Sequence, residues 1–298
     1  MNGNEKNKNV LAVSIIPAIF VLLWSSGFVV AKQGLAHAEP LTFLFWRFLI
    51  ASAIMLVITR IVKAEWPRSI KEYLHTLAAG ILVQLAYFGG CWLAMDSNIN
   101  AGTLALIVSM QPILAAIIVF PILGEKLGLK QCSGLLLGFI GVGLVIVNKF
   151  GFGFGSGLMW CFIALFGITL GTIYQKKYCS NINTYSGLCI QLVASTIIVY
   201  PLASIYENGD INWVPDFVFS LVYVSVILSL LTVGLLDVMI KKGEASRVSS
   251  LFFLVPPCSA LLALIILDEK IATTAVFGMG LTVLGVALVM KKNTAAET

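Results

Sequence analysis

The sequence predicts an all-α membrane protein with ten transmembrane helices in two inverted five-helix repeats. Three observations lead to this prediction: an apolar composition, an internal repeat and an uneven distribution of lysine and arginine. Of the 298 residues, 59% are hydrophobic and 11% are charged, and the mean hydropathy is +0.98. A soluble domain carries about 25% charged residues. A soluble fold of this length could not bury so much apolar surface, so the composition indicates a membrane protein.

The internal repeat consists of two segments that align without gaps, Ala101–Val147 and Ala245–Lys291, at an offset of 144 residues. Pro112 in the first segment aligns with Pro256 in the second, and a turn containing Glu-Lys follows in both. A repeat of this length in an apolar chain indicates two homologous halves. If each half has an odd number of spans, the second half is inverted relative to the first, as in many secondary transporters.

A helix that crosses a bilayer needs about 20 mainly apolar residues. We predict ten such spans, at residues 10–31, 41–61, 74–95, 101–122, 130–148, 155–175, 184–204, 217–239, 246–267 and 272–290. Polar or turn-forming residues separate them. In chain order these include Glu39-Pro40, Trp66-Pro67-Arg68, Asp96-Ser97-Asn98, Gly124-Glu125-Lys126, the glycine-rich segment 151–157, Asn208-Gly209-Asp210 and Asp268-Glu269-Lys270. The glycine-rich segment divides the chain into two predicted domains, residues 1–150 and 151–298.

Lysine and arginine predict the orientation, because cytoplasmic loops carry an excess of both. With the N-terminus in the cytoplasm, the outer side has only Lys32, Lys149 and Lys270, and Arg47 lies within the second span. The inner segments hold the remaining cations, Lys6, Lys8, Arg60, Lys63, Arg68, Lys71, Lys126, Lys130, Lys176, Lys177, Lys241, Lys242, Arg247, Lys291 and Lys292. We therefore expect both termini in the cytoplasm and the protein in the inner (plasma) membrane, in contact with lipid.

No motif for a cofactor, a metal or catalysis is found in the sequence. The glycine-rich segment 151–157 lacks the Gly-Lys-Ser/Thr of a phosphate-binding loop, and neither HExxH nor GxSxG is present. We expect no cofactor, no metal site and no enzymatic activity. The net charge of +5 does not indicate nucleic acid as a partner, because the cations lie between apolar runs and not on a polar domain.

Three parts of the chain show a likeness to a known family. They are Trp24–Lys32 with Trp46–Leu49 in the first two spans, Ala101–Lys126 with its mid-helix proline, and the repeat of that stretch at Ala245–Lys270. Together they resemble the drug/metabolite transporter superfamily, EamA type. The resemblance implies two inverted repeats around a central cavity, with helices 1, 3, 4, 6, 8 and 9 lining it, and transport of metabolites, amino acids or drugs, often outward. The sequence departs from the family pattern at Pro256-Pro257, where one proline is typical.

Arg47 is the sharpest single candidate for a functional residue. It lies about seven residues into the second span, so about 10 Å below the outer boundary at 1.5 Å per residue. A charge inside a membrane is costly and indicates a functional site by default. An arginine can also extend its charge to the interface or brace two helices. Gln191 occupies the matching position in the second half, and this favours a structural or gating role.

Two further charges are candidates. Lys32 ends the first span and matches Lys176 in the second half; it either anchors the helix at the interface or attracts a carboxylate substrate to the cavity mouth. Asp237 is the only acid well within a predicted span. It either pairs with Lys241 one turn later or carries a proton in an exchange cycle, since the pKa of a buried carboxylate can rise toward neutral.

Polar and aromatic residues in the predicted cavity helices form the candidate substrate site, to which Lys32 is added. They are Trp24, Ser25, Ser26, Gln84, Tyr87, Trp92, Met110, Gln111, Thr169, Thr172 and Tyr174. Gln84 and Tyr87 are three residues apart and share a helix face. Gln111 precedes Pro112, which removes one backbone donor and so loosens the helix. Unpaired backbone at membrane depth is tolerated only against protein or a water-filled cavity.

These observations predict a secondary transporter that moves small metabolites, such as amino acids or drugs, by alternating access, most simply as an exporter. An uptake permease of the same fold and a non-transporting membrane scaffold are the alternatives. The substrate is a small molecule. Gly134 and Gly138 form a GxxxG pattern in the fifth span, which serves either packing within one half or the interface of a homodimer.

Overall fold

The computed structural model describes residues 19, 21–123, 129–150, 155–232, 254–269 and 273–290, and every structural statement below concerns these residues. Within them all regular structure is helical. One isolated antiparallel bridge joins Ala38 to Ile211. The described residues thus form an all-α protein, as the sequence predicts.

Ten helices follow one another in the order of the predicted spans. We number them α1 (21–35), α2 (Pro40–Ile61), α3 (Ile70–Asp96), α4 (Ala101–Val108 and Gln111–Leu123), α5 (Leu129–Phe150), α6 (Ser156–Tyr178), α7 (Thr184–Tyr206), α8 (Pro215–Val222 and Tyr223–Thr232), α9 (Val255–Leu267) and α10 (Thr273–Met290). Four of them, α2, α3, α6 and α7, are long and apolar enough to cross a membrane. Shorter apolar stretches lie in α4, α5, α8, α9 and α10.

Two helices begin at least two residues earlier than predicted because of their capping residues. The third span was expected to start at residue 74, but α3 starts at Ile70, where Ser69 accepts a hydrogen bond from the Glu72 amide (3.3 Å). The Glu72 carboxylate accepts one from the Arg68 amide (2.7 Å), so two free amides are satisfied reciprocally. Similarly, α8 starts at Pro215, because a proline fits the first turn, where no amide donor is needed.

Helix α4 is broken at Ser109 and Met110, just before Pro112. The break divides an expected span into segments of 8 and 13 residues. A proline cannot donate the hydrogen bond that would continue the preceding turn, and its ring crowds the carbonyl four residues earlier. The break therefore lies where the sequence placed it.

The loops after α1 and after α7 are joined by reciprocal hydrogen bonds. The amides of Leu41 and Thr42 donate to the Glu207 carboxylate at 2.8 and 2.7 Å, which satisfies the first turn of α2. In return the Glu39 carboxylate accepts a hydrogen bond from the Asn208 amide at 3.0 Å. The C-terminal ends of α1 and α7 therefore lie at the same end of the bundle, which we call end A.

The start of α6 and the start of α4 also lie together. A Cβ atom added to Gly157, in the first turn of α6, would be 2.9 Å from the Ile99 side chain and 3.1 Å from Ser97. At the opposite end of the bundle, which we call end B, the Ser186 hydroxyl at the start of α7 donates to the Glu65 carbonyl between α2 and α3 (2.7 Å). The His75 ring at the start of α3 stacks on Tyr178 at the end of α6.

Helix α5 packs along α10, and α2 packs along α7. Small residues allow the first of these contacts: a Cβ atom on Gly141 would be 2.5 Å from the Gly278 carbonyl, and one on Gly285 would be 2.5 Å from the Gly134 carbonyl. The GxxxG pattern of α5 therefore packs against the second half of the chain. It also packs within its own half, because a Cβ atom on Gly138 would touch the side chain of Ile113 on α4.

Candidate functional site

Arg47 is buried among aromatic side chains between α2 and α3. Only 2% of its surface is exposed. Its guanidinium carbon lies 3.8 Å from the ring centroid of Phe88 and 4.9 Å from that of Trp92, both on α3, and 5.3 Å from Phe48 on α2. A desolvated cation over an aromatic ring gains about 2 kcal/mol or more. That gain is close to the cost of an arginine within a membrane, about 2.5–3.5 kcal/mol on insertion scales.

The aromatic rings offset the charge of Arg47 but accept no hydrogen bonds in the plane of the guanidinium. Its Nε and Nη1 atoms are fully buried and have no hydrogen-bond partner among the described residues. The ion pairs of those residues are Lys32–Glu269 and Arg68–Glu65, and neither includes Arg47. A buried donor without a partner costs about 1–3 kcal/mol, and more when it is charged. Arg47 therefore presents unused charged donors inside the protein.

Two polar groups on α3 also lack partners within the described structure. The Gln84 amide oxygen and the Trp92 indole nitrogen are buried, with 4% and 3% of each residue exposed. Gln84, Phe88 and Trp92 are each four residues apart, so they follow one face of the helix. Residues Ile81–Gly89 form a π-helix, a conformation found frequently at functional sites. An acceptor, a donor and a guanidinium thus share one side of α3.

Unpartnered hydroxyls lie on α8, which also packs against α2. Ser220 and Ser225 are fully buried, and neither hydroxyl has a hydrogen-bond partner in the described ranges. Ser220 is close to Phe43, because a Cβ atom on Gly34 would touch both side chains. Phe43 in turn packs edge-on against Trp92, with centroids 5.8 Å apart. A continuous layer of aromatic residues therefore connects the unsatisfied groups of α3 and α8.

A second polar contact joins α4 to α6. Gln111, directly after the break in α4, donates from its amide nitrogen to the Thr172 hydroxyl at 3.1 Å. That hydroxyl donates to the Ile168 carbonyl of its own helix at 2.8 Å. Met110 is buried in the break, and Thr169 donates only within α6, to the Leu165 carbonyl. Of these four predicted residues, the structure brings Gln111 and Thr172 together.

The serines of α1 connect it to α8 and α9. Ser26 shares a 2.7 Å hydrogen bond with the hydroxyl of Tyr223 on α8. Ser25 is fully buried and donates to the Val255 carbonyl at 3.4 Å, while Ser259 donates to the Ser25 carbonyl at 3.1 Å. Neighbouring Trp24 is half-buried against the core. These residues hold helices together through bonds between the two halves of the chain.

Lys32 forms an ion pair at end A. Its ammonium nitrogen is 2.9 Å from the Glu269 carboxylate, which follows α9, and 2.8 Å from the Ile99 carbonyl, which precedes α4. The Ala101 amide donates to the same carboxylate at 3.5 Å. The Lys32 side chain is 24% exposed and that of Glu269 is 12% exposed. The ion pair therefore ties together the ends of α1 and α9 and the start of α4.

Tyr174 lies away from the other predicted site residues. Its hydroxyl is 2.7 Å from Nδ1 of His75 at end B. Tyr87 is buried beside Phe88, with ring centroids 4.6 Å apart, and so belongs to the cluster around Arg47. Asp237 lies outside the described residues.

The structure thus divides the predicted site into an arginine cluster (Arg47, Gln84, Tyr87 and Trp92), the Gln111–Thr172 contact, the serines of α1 and the charge at end A. Sequence reasoning missed Phe88 and Phe48 beside the arginine, Tyr223 opposite Ser26, and Glu269 as the partner of Lys32. Spacing could have found Phe88, because it lies four residues from both Gln84 and Trp92. Phe48 directly follows Arg47 in the sequence, whereas nothing in the local sequence indicates Tyr223 or Glu269.

Comparisons with known proteins identify a matching family, similar relatives and a similar fold. The model of the EamA-like transporter family matches residues 12–147 and 155–291. An uncharacterized transporter of Bacillus subtilis (strain 168), YvbV, is 28% identical over 296 residues, covering 95% of this chain and 93% of that protein. A probable amino-acid metabolite efflux pump of Escherichia coli (strain K12) is 24% identical, covering 93% of this chain and 91% of the pump. One solved crystal structure has a similar fold, with a TM-score of 0.65 at 16% identity over 93% of this chain and 96% of that one.

Proposed function

The chain belongs to the EamA-like transporter family, and from this premise we propose that it exports small amino-acid-like metabolites across the inner (plasma) membrane by alternating access. Its helices and relatives make it a multi-pass membrane transporter. The proposal adds the direction, the class of substrate and the mechanism. Two relatives described as probable amino-acid metabolite efflux pumps support the direction and the substrate class.

We further propose that the two halves, residues 1–150 and 151–298, are inverted repeats, with both termini in the cytoplasm. Two observations support this arrangement. Equivalent helices begin 144 residues apart, as α2 at Pro40 and α7 at Thr184. Helix α1 ends at end A, where its counterpart α6 begins, so the two run in opposite directions. An inverted pair can expose one central site to each side in turn.

The ion pair between Lys32 and Glu269 is the observation on which the mechanism rests. It joins a helix of the first half to the loop after α9 in the second half, at the end where α1, α3, α7 and α9 finish. The two opposite charges are 2.9 Å apart and mostly buried. They must be separated and rehydrated before end A can open. In an exporter, this contact must open each time the substrate leaves. We therefore assign it to closure of the outer side.

Energy for export comes from the substrate gradient or from proton exchange, since the sequence has no nucleotide-binding motif. Asp237 is our candidate for the proton carrier, if exchange operates. The fold suits either mode, because alternating access requires only that the two halves move relative to each other around the bound substrate.

Overproduction in a bacterial host with metabolite analysis tests the proposed export. We expect one class of amino-acid-like compound to accumulate in the medium of cells with the wild-type protein. Lys32→Glu and Glu269→Lys should each reduce the export rate at least about tenfold, because like charges now meet at the closure. The double variant should recover much of the rate, since the pair is restored in reverse.

Asp268→Asn is the matched control, because Asp268 is exposed, adjacent to Glu269 and in the left-handed conformation that asparagine tolerates. It should export at the wild-type rate. Net accumulation of a metabolite inside the cells instead of in the medium would favour an uptake permease. If no metabolite pool changes, or if the double variant is no better than the single ones, the proposal of export through this closure is wrong.

A further inference from the structure

The arginine cluster lies directly below the closed end of the molecule. Lys32 and Gly34 occupy the last turns of α1, and a Cβ atom on Gly34 would clash with the ring of Phe43. Phe43 packs against Trp92, and Trp92 lies over the guanidinium of Arg47. A series of contacts therefore leads from the end of α1, which carries Lys32, through the rings of Phe43 and Trp92 to the buried guanidinium of Arg47.

The guanidinium is arranged to receive a planar anion. Phe88 and Trp92 lie against it, so the guanidinium is held by ring contacts and not by an acceptor. Its Nε and Nη1 donors are buried and unpartnered within the described residues. Guanidinium donors lie in one plane with the spacing of the two oxygens of a carboxylate. The free Nε1 donor of Trp92, on the same face of α3, adds a further hydrogen bond for such a group.

Gln84 supplies the opposite kind of group from the same helix as Phe88 and Trp92. Its Oε1 acceptor is buried and has no partner among the residues described. It lies four residues before Phe88, within the π-helical segment Ile81–Gly89 and on the same side of α3. An α-amino acid carries a carboxylate and an ammonium group on one carbon. The ammonium group donates the hydrogen bonds that a glutamine oxygen accepts.

We propose that Arg47 binds the carboxylate of the transported substrate and Gln84 its ammonium group, so that the substrates are free α-amino acids or derivatives that keep both groups. This inference rests on the proposed transport function and names the substrate class of that same site. It assigns Arg47 a binding role, where the sequence favoured a structural or gating one. It also explains why Arg47, Gln84 and Trp92 each have a buried polar atom without a hydrogen-bond partner within the described protein.

Binding to the purified full-length protein in detergent tests the proposal. The probes are leucine, methionine, phenylalanine and threonine, each compared with its carboxamide, which lacks the carboxylate charge, and its N-acetyl form, which lacks the ammonium charge. We expect at least one acid to bind the wild type about 10- to 100-fold more tightly than its carboxamide, the usual range for hydrogen bonds to charged groups. The N-acetyl form should be weaker by a similar factor.

Two variants separate the roles of the two side chains. Arg47→Gln should reduce the ratio of affinities for acid and carboxamide to about one, because the discriminating charge is gone. Gln84→Leu should keep that ratio but lose the preference for the free over the N-acetyl form. Arg68→Gln is the control, since the same change on a side chain that is 85% exposed should alter neither ratio. A purely structural Arg47 would change the melting temperature without changing the ratios.

Equal binding of acid and carboxamide by the wild type would overturn the proposal, and so would an unchanged ratio in Arg47→Gln or a failure of all four acids to bind. If Arg47→Gln does not fold, the wild-type comparison with the carboxamides still decides the question, and Arg47→Lys supplies a variant that keeps the charge without the planar fork. Export of a metabolite that has no carboxylate would refute this inference while leaving the proposed export function intact.

Discussion

Gln111 and Thr172 form one hydrogen bond between the broken helix α4 and α6. We predict that Thr172→Val slows transport about 3- to 10-fold, the range expected from losing one neutral hydrogen bond of about 0.5–1.5 kcal/mol. The reason is that the bond fixes α4 directly after its break. Initial rates of export from loaded cells measure the effect, with expression matched by immunoblot.

Thr169→Val is the control for that change. It is the same substitution on the same helix, but Thr169 bonds only within α6. It should transport at close to the wild-type rate. Gln111→Leu combined with Thr172→Val should be no slower than either single change, because both remove one interaction. Equal defects in Thr169→Val and Thr172→Val would show that the interhelical bond has no special role.

Arg47 shows how a residue-scale interpretation can change once its neighbours are known. A lone arginine with a glutamine at the matching position favours a bracing role. A brace, however, requires acceptors, and the described surroundings of Arg47 supply aromatic rings. Hydropathy along the chain cannot reveal this difference, because an aromatic residue and an aliphatic one predict the same span.

The contact between α5 and α10 depends on glycines that approach backbone atoms of the facing helix. We predict that Gly141→Leu lowers the stability of the purified protein by about 1–3 kcal/mol or prevents folding, the usual cost of overpacking a tight contact. A Cβ atom there would already be 2.5 Å from a backbone carbonyl. The melting temperature in detergent, followed by size-exclusion chromatography, measures the loss.

Gly143→Leu is the matched control on the same helix, because nothing lies within 4 Å of a Cβ atom at that position. Its melting temperature should be within about 2 °C of the wild-type value. Surface substitutions usually change the free energy of unfolding by no more than about 0.5 kcal/mol. Should Gly141→Leu be as stable as Gly143→Leu, then α5 and α10 do not form the close contact described above.

Two helices contain π-helical segments, Ile81–Gly89 in α3 and Tyr223–Thr232 in α8. These helices occupy equivalent positions in the two halves, and the unpartnered groups Gln84 and Ser225 lie within the two segments. A π-helical turn widens the helix and shifts the side chains that follow. The repeat therefore includes this local irregularity, which the sequence did not predict.

At the scale of the whole molecule, the distribution of charges predicts that both termini lie in the cytoplasm. We expect an epitope tag after Thr298 to be inaccessible to antibody in intact spheroplasts and accessible after permeabilisation. A tag inserted at Asn208, in the loop after α7, should be accessible in intact spheroplasts. The physical reason is that cationic loops are retained on the cytoplasmic side during insertion. The reverse pattern would contradict the predicted orientation.

Much of the fold could be predicted from the sequence, and particular helices show why. The order and number of the helices follow from apolar runs and the breaks between them, which are local properties of the chain. The break in α4 followed from Pro112, because proline acts on its own helix. The early starts of α3 and α8 were missed, although Ser69 and Pro215 are recognisable capping signals.

The candidate site could be predicted only as a set of residues and not as an arrangement. Lys32 was identified without Glu269, Ser26 without Tyr223, and Arg47 without Phe88. Each missing partner lies on another helix, and pairing depends on how each helix is rotated about its axis. In a soluble helix an apolar stripe shows which face is buried. Here lipid and protein interior are equally apolar, so most spans have no such stripe and the sequence leaves their rotation undetermined.

The sequence by itself determined the class, the sequential order of the helices, the internal repeat and the family resemblance, since these follow from composition, spacing and motifs along the chain. The tertiary structure alone decided which charges meet. It paired Lys32 with Glu269 from the other half of the chain and left Arg47 among aromatic rings without an acceptor in the described residues. Contacts between distant helices arise from packing in three dimensions, and packing between apolar surfaces is decided by shape, which no local pattern of hydropathy records.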